Sequence, residues 1–261
     1  MVEAFYQPLA EGQFASSSSV VGPWDRGTSH GSPPAALLLH EIERTHPRPD
    51  ARVARVTFDF LGPVPVVDLA VTCALARPGA RIELTRATLT AAGRTAMQAS
   101  AWRIAVGPGR APEVPDPREA PKLPGPDAQR LFVDVPAFGY GEALEWRFVE
   151  GGFDSLGPAT VYARPRMPLL PGQPLTPLER LLLMVDSANG ISAELQPSRF
   201  TFVPVELTVG IRRAPRTEWI GMHARTTIAG DGIGQTAAEL FDEAGFLGIA
   251  LQTLFVSPRG T

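Results

Sequence analysis

The chain has 261 residues, with 24 basic and 27 acidic side chains and a net charge of -3. Hydrophobic residues make up 44% and charged residues 20%, so apolar burial can offset chain entropy along most of the length, and disorder is excluded. The same charge balance leaves no electrostatic footprint for nucleic acid or for an anionic membrane surface.

Apolar runs such as Leu181 to Val185 fall far short of the roughly 20 residues a spanning helix needs. Met1 to Phe14 carries no basic segment followed by an apolar stretch, and a cytoplasmic protein is expected. Cys73 is the only cysteine, which excludes an internal disulfide and a thiolate cluster and makes it a candidate small core residue.

In chain order, Ser32 and Pro33 offer a helix cap and a first-turn proline, and Ala35 to Arg44 continues as a helix. Arg52 to Phe60 alternates, with Val56, Phe58 and Phe60 on one face, as a half-buried strand does. Further strands are expected at Val66 to Leu75, Arg81 to Ala91 and Ala96 to Ala105. The segment GPGRAPEVPDPREAPKLPG, Gly107 to Gly125, is rich in proline and poor in apolar residues, which predicts an extended linker.

Beyond it, strands are expected at Leu144 to Val149 and Ala159 to Ala163. A second helix is well marked by Thr176, Pro177 and Glu179, a capping box with proline at the first helical position, and Gly190 is its expected stop. Glu206 to Arg212 predicts an antiparallel strand with Val205, Leu207, Val209 and Ile211 sharing a face. Trp219 to Ile228, Gln235 to Asp242 and Phe246 to Val256 complete the set. Gly230-Asp231-Gly232 lies between two of these strands and reads as a hairpin turn.

The halves repeat the same order of elements. Pro63 and Pro215 close corresponding strands, and Ala92-Gly93 recurs as Ala244-Gly245 at the same separation. The expected organisation is α+β: residues 1–106, a linker 107–140, and residues 141–261, each outer part a helix with a long antiparallel sheet able to curve around it.

Two polar residues stand in apolar surroundings. Asp186 follows Leu181 to Val185 in a helix apolar nearly all round, and a carboxylate there is costly to bury unless hydrogen-bonded. Its plainer reading is a solvated residue of the last turn. Gln252 shares a strand face with Ala250, Leu254 and Val256, or else sits at a solvated edge. Asn189, one turn beyond Asp186, either joins them or ends the helix.

The runs SHGSPPAALLLHEIE and VTFDFLGPVP in the first half resemble the acyl-CoA thioesterase II-like family of the double hot-dog superfamily. ALEWRFVEGGF, TPLERLLLMVDSANGIS, VELTVGIRRAP, EWIGMHART, GIGQTAAELFDEAG and ALQTLFV in the second half resemble it more closely. The resemblance implies a double hot-dog, acyl-CoA as substrate, and a site combining an Asp, a hydroxyl residue and a Gln; no cofactor or metal is expected, and exposed strand edges lead to the expectation of a homo-oligomer, a homodimer. Asp186 and Gln252 fall on the first and last. Pro204 falls on the hydroxyl position, so Thr208 is the first stand-in, with Thr201 and Ser187 behind it. Asn189, Gly31, Arg212 and Arg213 are the candidates for substrate contact, the arginines through CoA phosphates.

The implied chemistry is thioester hydrolysis by an activated water, with Asp186 as general base and Gln252 orienting water or carbonyl. Two other readings stand beside it. Asp25 and His30 loosely resemble the acid-base pair of hot-dog enoyl-CoA hydratases, and Pro204 keeps open a non-catalytic acyl-binding module. His40, His46 and His223 show no metal-ligand spacing.

Overall fold

A computed structural model describes residues 3–45, 47–128 and 137–259; His46 lies outside them. Twelve strands form one antiparallel sheet wrapped around two helical segments. The strands are β1 (Tyr6–Ala10), β2 (Gln13–Ser16), β3 (Ala51–Phe60), β4 (Asp68–Arg77), β5 (Ile82–Ala91), β6 (Arg94–Ala105), β7 (Leu144–Glu150), β8 (Ala159–Pro165), β9 (Phe200–Ile211), β10 (Ile220–Ile228), β11 (Ile233–Asp242) and β12 (Gly245–Pro258). The helices are α1 (Ser32–Thr45), the single turn α2 (Gly139–Glu142), α3 (Pro177–Val185) and the single turn α4 (Ala188–Ile191). No helix among the described residues is long and apolar enough to cross a membrane.

The sheet order is β1-β2-β4-β5-β6-β3-β9-β12-β11-β10-β8-β7. Read outward from the centre, each half has the same sequence of strands, so the fold is a tandem pair of hot-dogs. The halves join where β3 pairs antiparallel with β9, Val56 opposite Val209 and Phe58 opposite Leu207. The hairpins β5–β6 and β11–β12 turn at matching places. Ala92 and Gly93, the loop residues of β5–β6, have φ of 48° and 74°, the left-handed backbone that a two-residue hairpin requires, and Gly245, the first residue of β12, has φ of 116°.

Alternation along the strands sends one side chain of each pair inward onto the helices. Leu37, Leu38, Leu39 and Ile42 of α1 and Leu181, Leu182, Leu183 and Val185 of α3 are fully buried in this core. The two helices also pack on each other, and His40 Nδ1 lies 2.8 Å from Glu179 Oε1 between them. Glu179 completes the capping box as predicted, its Oε2 accepting from the Thr176 N–H at 2.8 Å.

Several local expectations are corrected. β1 and β2 were too short to show a periodic pattern. The α1 cap is Gly31 rather than Ser32, because the Ala35 N–H donates to the Gly31 carbonyl, which places Pro33 one position further in. β9 starts at Phe200, with Pro204 inside it. The β9–β12 register shifts there, pairing Thr253 with Glu206 but Leu254 with Pro204. A bulge tolerates a proline that has no N–H for the ladder, and it turns Val205 outward to 44% exposure, off the face it was assigned with Leu207.

The second helix breaks at Asp186 instead of running to Gly190. The Leu183 carbonyl accepts from the Tyr140 hydroxyl at 2.8 Å and the Asp186 carbonyl from Gln252 Nε2 at 3.2 Å. Groups from outside thus take positions in the helical ladder, a recognised cause of a break. The linker carries no strand among its described residues, and Pro121 and Pro124 accept bonds from Tyr162 and Arg147. Phe138 and Tyr140, towards its expected end, are buried.

Candidate active site

The break after α3 places Asp186 where the two halves meet, 4% exposed. Gln252, from the inner face of β12 and fully buried, donates through Nε2 to Asp186 Oδ1 at 2.9 Å. Its carbonyl oxygen accepts from the Asn189 N–H at 3.0 Å. Asn189 is held in turn, with Nδ2 donating to the Phe202 carbonyl at 3.0 Å. Each end of the Gln252 amide is therefore committed, and the amide cannot flip without losing both partners.

The first half contributes the remaining groups. The Gly31 N–H, at the start of α1, donates to the Asp186 carboxylate. A side chain at Gly31 would stand 2.4 Å from Asp186 Oδ2 and 2.8 Å from the Phe60 ring, so this approach requires glycine. The His30 ring lies beside them, Nδ1 3.6 Å from Asp186 Oδ2. It stacks on Tyr140 with ring centroids 3.8 Å apart and planes within 6°. Tyr140 is fixed by its hydroxyl, which donates to the Leu183 carbonyl and lies 2.7 Å from Ser187 Oγ.

Burial pushes the Asp186 carboxyl up to about 7, against the opposing pull of the Gln252 and Gly31 hydrogen bonds. Burial pushes His30 the other way, down to about 3, so its imidazole is neutral. Desolvation also raises Tyr140, which stays a neutral phenol. The result is a carboxyl able to exchange a proton near neutral pH, with no full positive charge beside it.

The structure brings together Asp186, Gln252, Asn189 and Gly31. Thr208 is not among them. It lies opposite Thr57 and Leu251, on the other face of the sheet from Gln252, and its hydroxyl bonds Glu206 and Thr57. Of the other stand-ins, Ser187 is engaged by Tyr140, and Thr201 pairs with Ser257 near the far end of β12.

Arg213 is committed to Asp242, which is fully buried: Nη1 to Oδ2 at 2.9 Å and Nη2 to Oδ1 at 2.5 Å. Burial alone would raise the Asp242 carboxyl, but Arg213 and the Arg216 and Ala244 N–H groups hold it below its ordinary value. Arg212 bonds the Val114 carbonyl of the linker. Both arginines lie just beyond Ile211, the last residue of β9, which is about 14 Å along the strand from Leu207, the partner of Gln252, at 3.4 Å per residue. Asp25 is exposed and closes its own turn, accepting from the Gly27 N–H at 2.6 Å, so the Asp25–His30 pair of the hydratase reading is not assembled. Among the described residues no group of three or more His, Cys, Asp or Glu could hold a metal ion.

Tyr140 carries no local signal, since it follows a proline-rich segment, and it was missed as a site member. His30 stands in the sequence only as the partner of Asp25 in the hydratase reading, and the structure places it beside Asp186 instead. Thr236, directly opposite Gln252, was missed too. It continues as a buried hydroxyl chain through Thr226, 2.7 Å away, to Ser192, a further 2.8 Å.

The sequence profile of the acyl-CoA thioesterase N-terminal domain matches residues 20–104, and that of the C-terminal domain matches residues 108–256. A provisionally named thioesterase from Novosphingobium aromaticivorans is similar in structure, with a TM-score of 0.73 and 20% identity over 96% of this chain and 98% of that one. A hot-dog protein of unknown function from Alicyclobacillus acidocaldarius gives 0.72 and 17% over 97% and 96%. An acyl-CoA thioesterase II from Mycobacterium marinum gives 0.69 and 18% over 98% and 96%. No curated protein matches the sequence significantly. Fold and topology define a double hot-dog protein. The chain belongs to the acyl-CoA thioesterase family.

Proposed function

We propose that this protein hydrolyses acyl-CoA thioesters with a water activated at Asp186. The observation that carries the reading is a buried carboxyl poised near neutrality and gripped by a side-chain amide from one half and a backbone N–H from the other. Asp186 takes a proton from water as the water oxygen attacks the thioester carbonyl. The tetrahedral intermediate then expels the CoA thiolate, which receives that proton and leaves a free acid. Gln252 fixes the carboxylate that holds the water, and Gly31 brings the positive end of α1 to the developing charge. No covalent acyl-enzyme is needed, because a thioester is reactive enough for a positioned water and a base.

Pro204 favours a second reading. Its ring occupies the position where a hydroxyl is expected, which supports an acyl-CoA-binding module without turnover.

The test is free-thiol release from saturated, branched and aromatic acyl-CoAs by the native protein and by Asp186→Asn. Turnover that falls at least about a hundredfold in the variant supports hydrolysis with Asp186 as base. Binding of acyl-CoA without thiol release overturns hydrolysis in favour of the binding module.

A further inference from the structure

The mechanism above leaves one polar group of the site unused. The Ser32 N–H donates to His30 Nδ1 at 3.1 Å. A backbone N–H can only donate, so His30 Nδ1 must present a lone pair, and in the neutral ring the single proton resides on Nε2. The stack on Tyr140 fixes the ring plane. The His30 N–H donating to the Val20 carbonyl at 2.8 Å fixes its backbone. Among the described residues, no hydrogen-bond partner is seen for Nε2.

This tautomer decides what His30 can do. A general-base role would need a lone pair on Nε2 and hence a proton on Nδ1, which would set two N–H groups against each other at Ser32. A relay to Asp186 is also closed, because Nδ1 has no proton to pass across its 3.6 Å separation from Oδ2. What remains is a neutral, oriented N–H donor on a ring whose other nitrogen lies 3.6 Å from the Asp186 carboxylate, in a largely buried setting where such a donor acts strongly on developing charge.

We infer that His30 is a catalytic residue of this site, donating its Nε2 hydrogen to the thioester carbonyl oxygen. This rests on the hydrolytic reading above. As the water oxygen bonds to the carbonyl carbon, the π electron pair moves onto oxygen and the Nε2–H···O bond shortens without transferring its proton. When the C–S bond breaks, the pair returns to the carbonyl and the donor relaxes. Asp186 handles the proton and His30 the oxyanion, one from each half of the molecule. Tyr140 is a positioning residue that acts through the His30 ring.

The experiment combines nitrogen NMR of the histidine-labelled native protein with the kinetics of two variants. The probes are ketone analogues of acetyl-CoA and octanoyl-CoA, in which a methylene replaces the sulfur. Free protein should show His30 unprotonated at Nδ1 and protonated at Nε2, and a bound ketone should shift the Nε2–H resonance. His30→Phe keeps the stack but removes the donor, and should lower kcat about a hundredfold with little change in KM. His30→Gln, which retains an acceptor for Ser32 and an amide donor, should recover about tenfold of that loss.

A proton on Nδ1 in the free protein, an Nε2–H that ignores the bound ketone, or a His30→Phe kcat within about threefold of native overturns the assignment. A ketone that shifts Nε2–H in a protein releasing no thiol overturns hydrolysis but leaves the donor standing. Ketones that do not bind overturn the donor assignment, while hydrolysis stands or falls with thiol release.

Discussion

Gln252 reaches across from β12 to hold Asp186 twice, through the carboxylate at 2.9 Å and through the main-chain carbonyl at 3.2 Å. One amide therefore both orients the proposed base and helps break the helix that carries it. Replacing it by Gln252→Leu should lower kcat about a hundredfold. The variant also leaves the Asn189 N–H without its buried acceptor, a loss of about 1–3 kcal/mol in stability. Because the lost hydrogen bond favours the ionised form, the Asp186 carboxyl should titrate higher than its native value of about 7. Denaturant unfolding and the pH dependence of thiol release check the two effects separately.

Gly31→Ala tests the contact between the halves. The added carbon would overlap Asp186 Oδ2 and Phe60, and the carboxylate must swing away from Gln252 to relieve it. Gly31 is not in the left-handed region, so backbone strain does not enter. Activity should drop by about a hundredfold or more, with the fold retained in a circular dichroism spectrum.

Arg213 and Thr208 should separate stability from catalysis. Arg213→Met strands the Asp242 carboxylate in the interior and should cost about 3–5 kcal/mol, while KM for acyl-CoA stays near native. Thr208→Val changes the outer sheet face alone and should leave kcat within about twofold. A large rise in KM for Arg213→Met at a temperature where it is folded would restore that arginine as a phosphate contact.

Asp186 should also shape stability. Its folded pKa, about 7, lies above the ordinary 3.8, so between these values the folded state keeps a proton that the unfolded chain has lost. Native stability then falls as pH rises through that window, by about 4 kcal/mol once pH exceeds 7. Asp186→Asn has no such loss, although its amide opposes one of the two donors at a pH-independent cost of about 1–3 kcal/mol. The melting temperature of the variant should therefore rise relative to native between pH 5 and pH 9. A constant difference would contradict the raised pKa.

The strands with clean alternation were legible from sequence, as Arg52 to Phe60 shows, because burial of one face imposes period two over many residues. The capping box at Thr176 was legible because it is local chemistry. The face of Val205 was not, since the bulge at Pro204 resets the period where no side-chain pattern marks it. The end of α3 was misplaced for a different reason: Tyr140 and Gln252, far away in sequence, supply the bonds that break it. Asp186 and Gln252 could be found as polar residues on apolar faces. His30 was legible only as an acid-base partner of Asp25, because its place beside Asp186 depends on a tautomer fixed by Ser32 and on a neighbour from the other half.

The most direct measurement is the pH dependence of kcat/KM for the native protein with its best acyl-CoA. The account predicts a rise of about tenfold per pH unit on the acid side, levelling off near pH 7 as Asp186 ionises. A profile already flat below pH 6 would show that no base with a raised pKa limits the reaction, and would contradict the central role of Asp186.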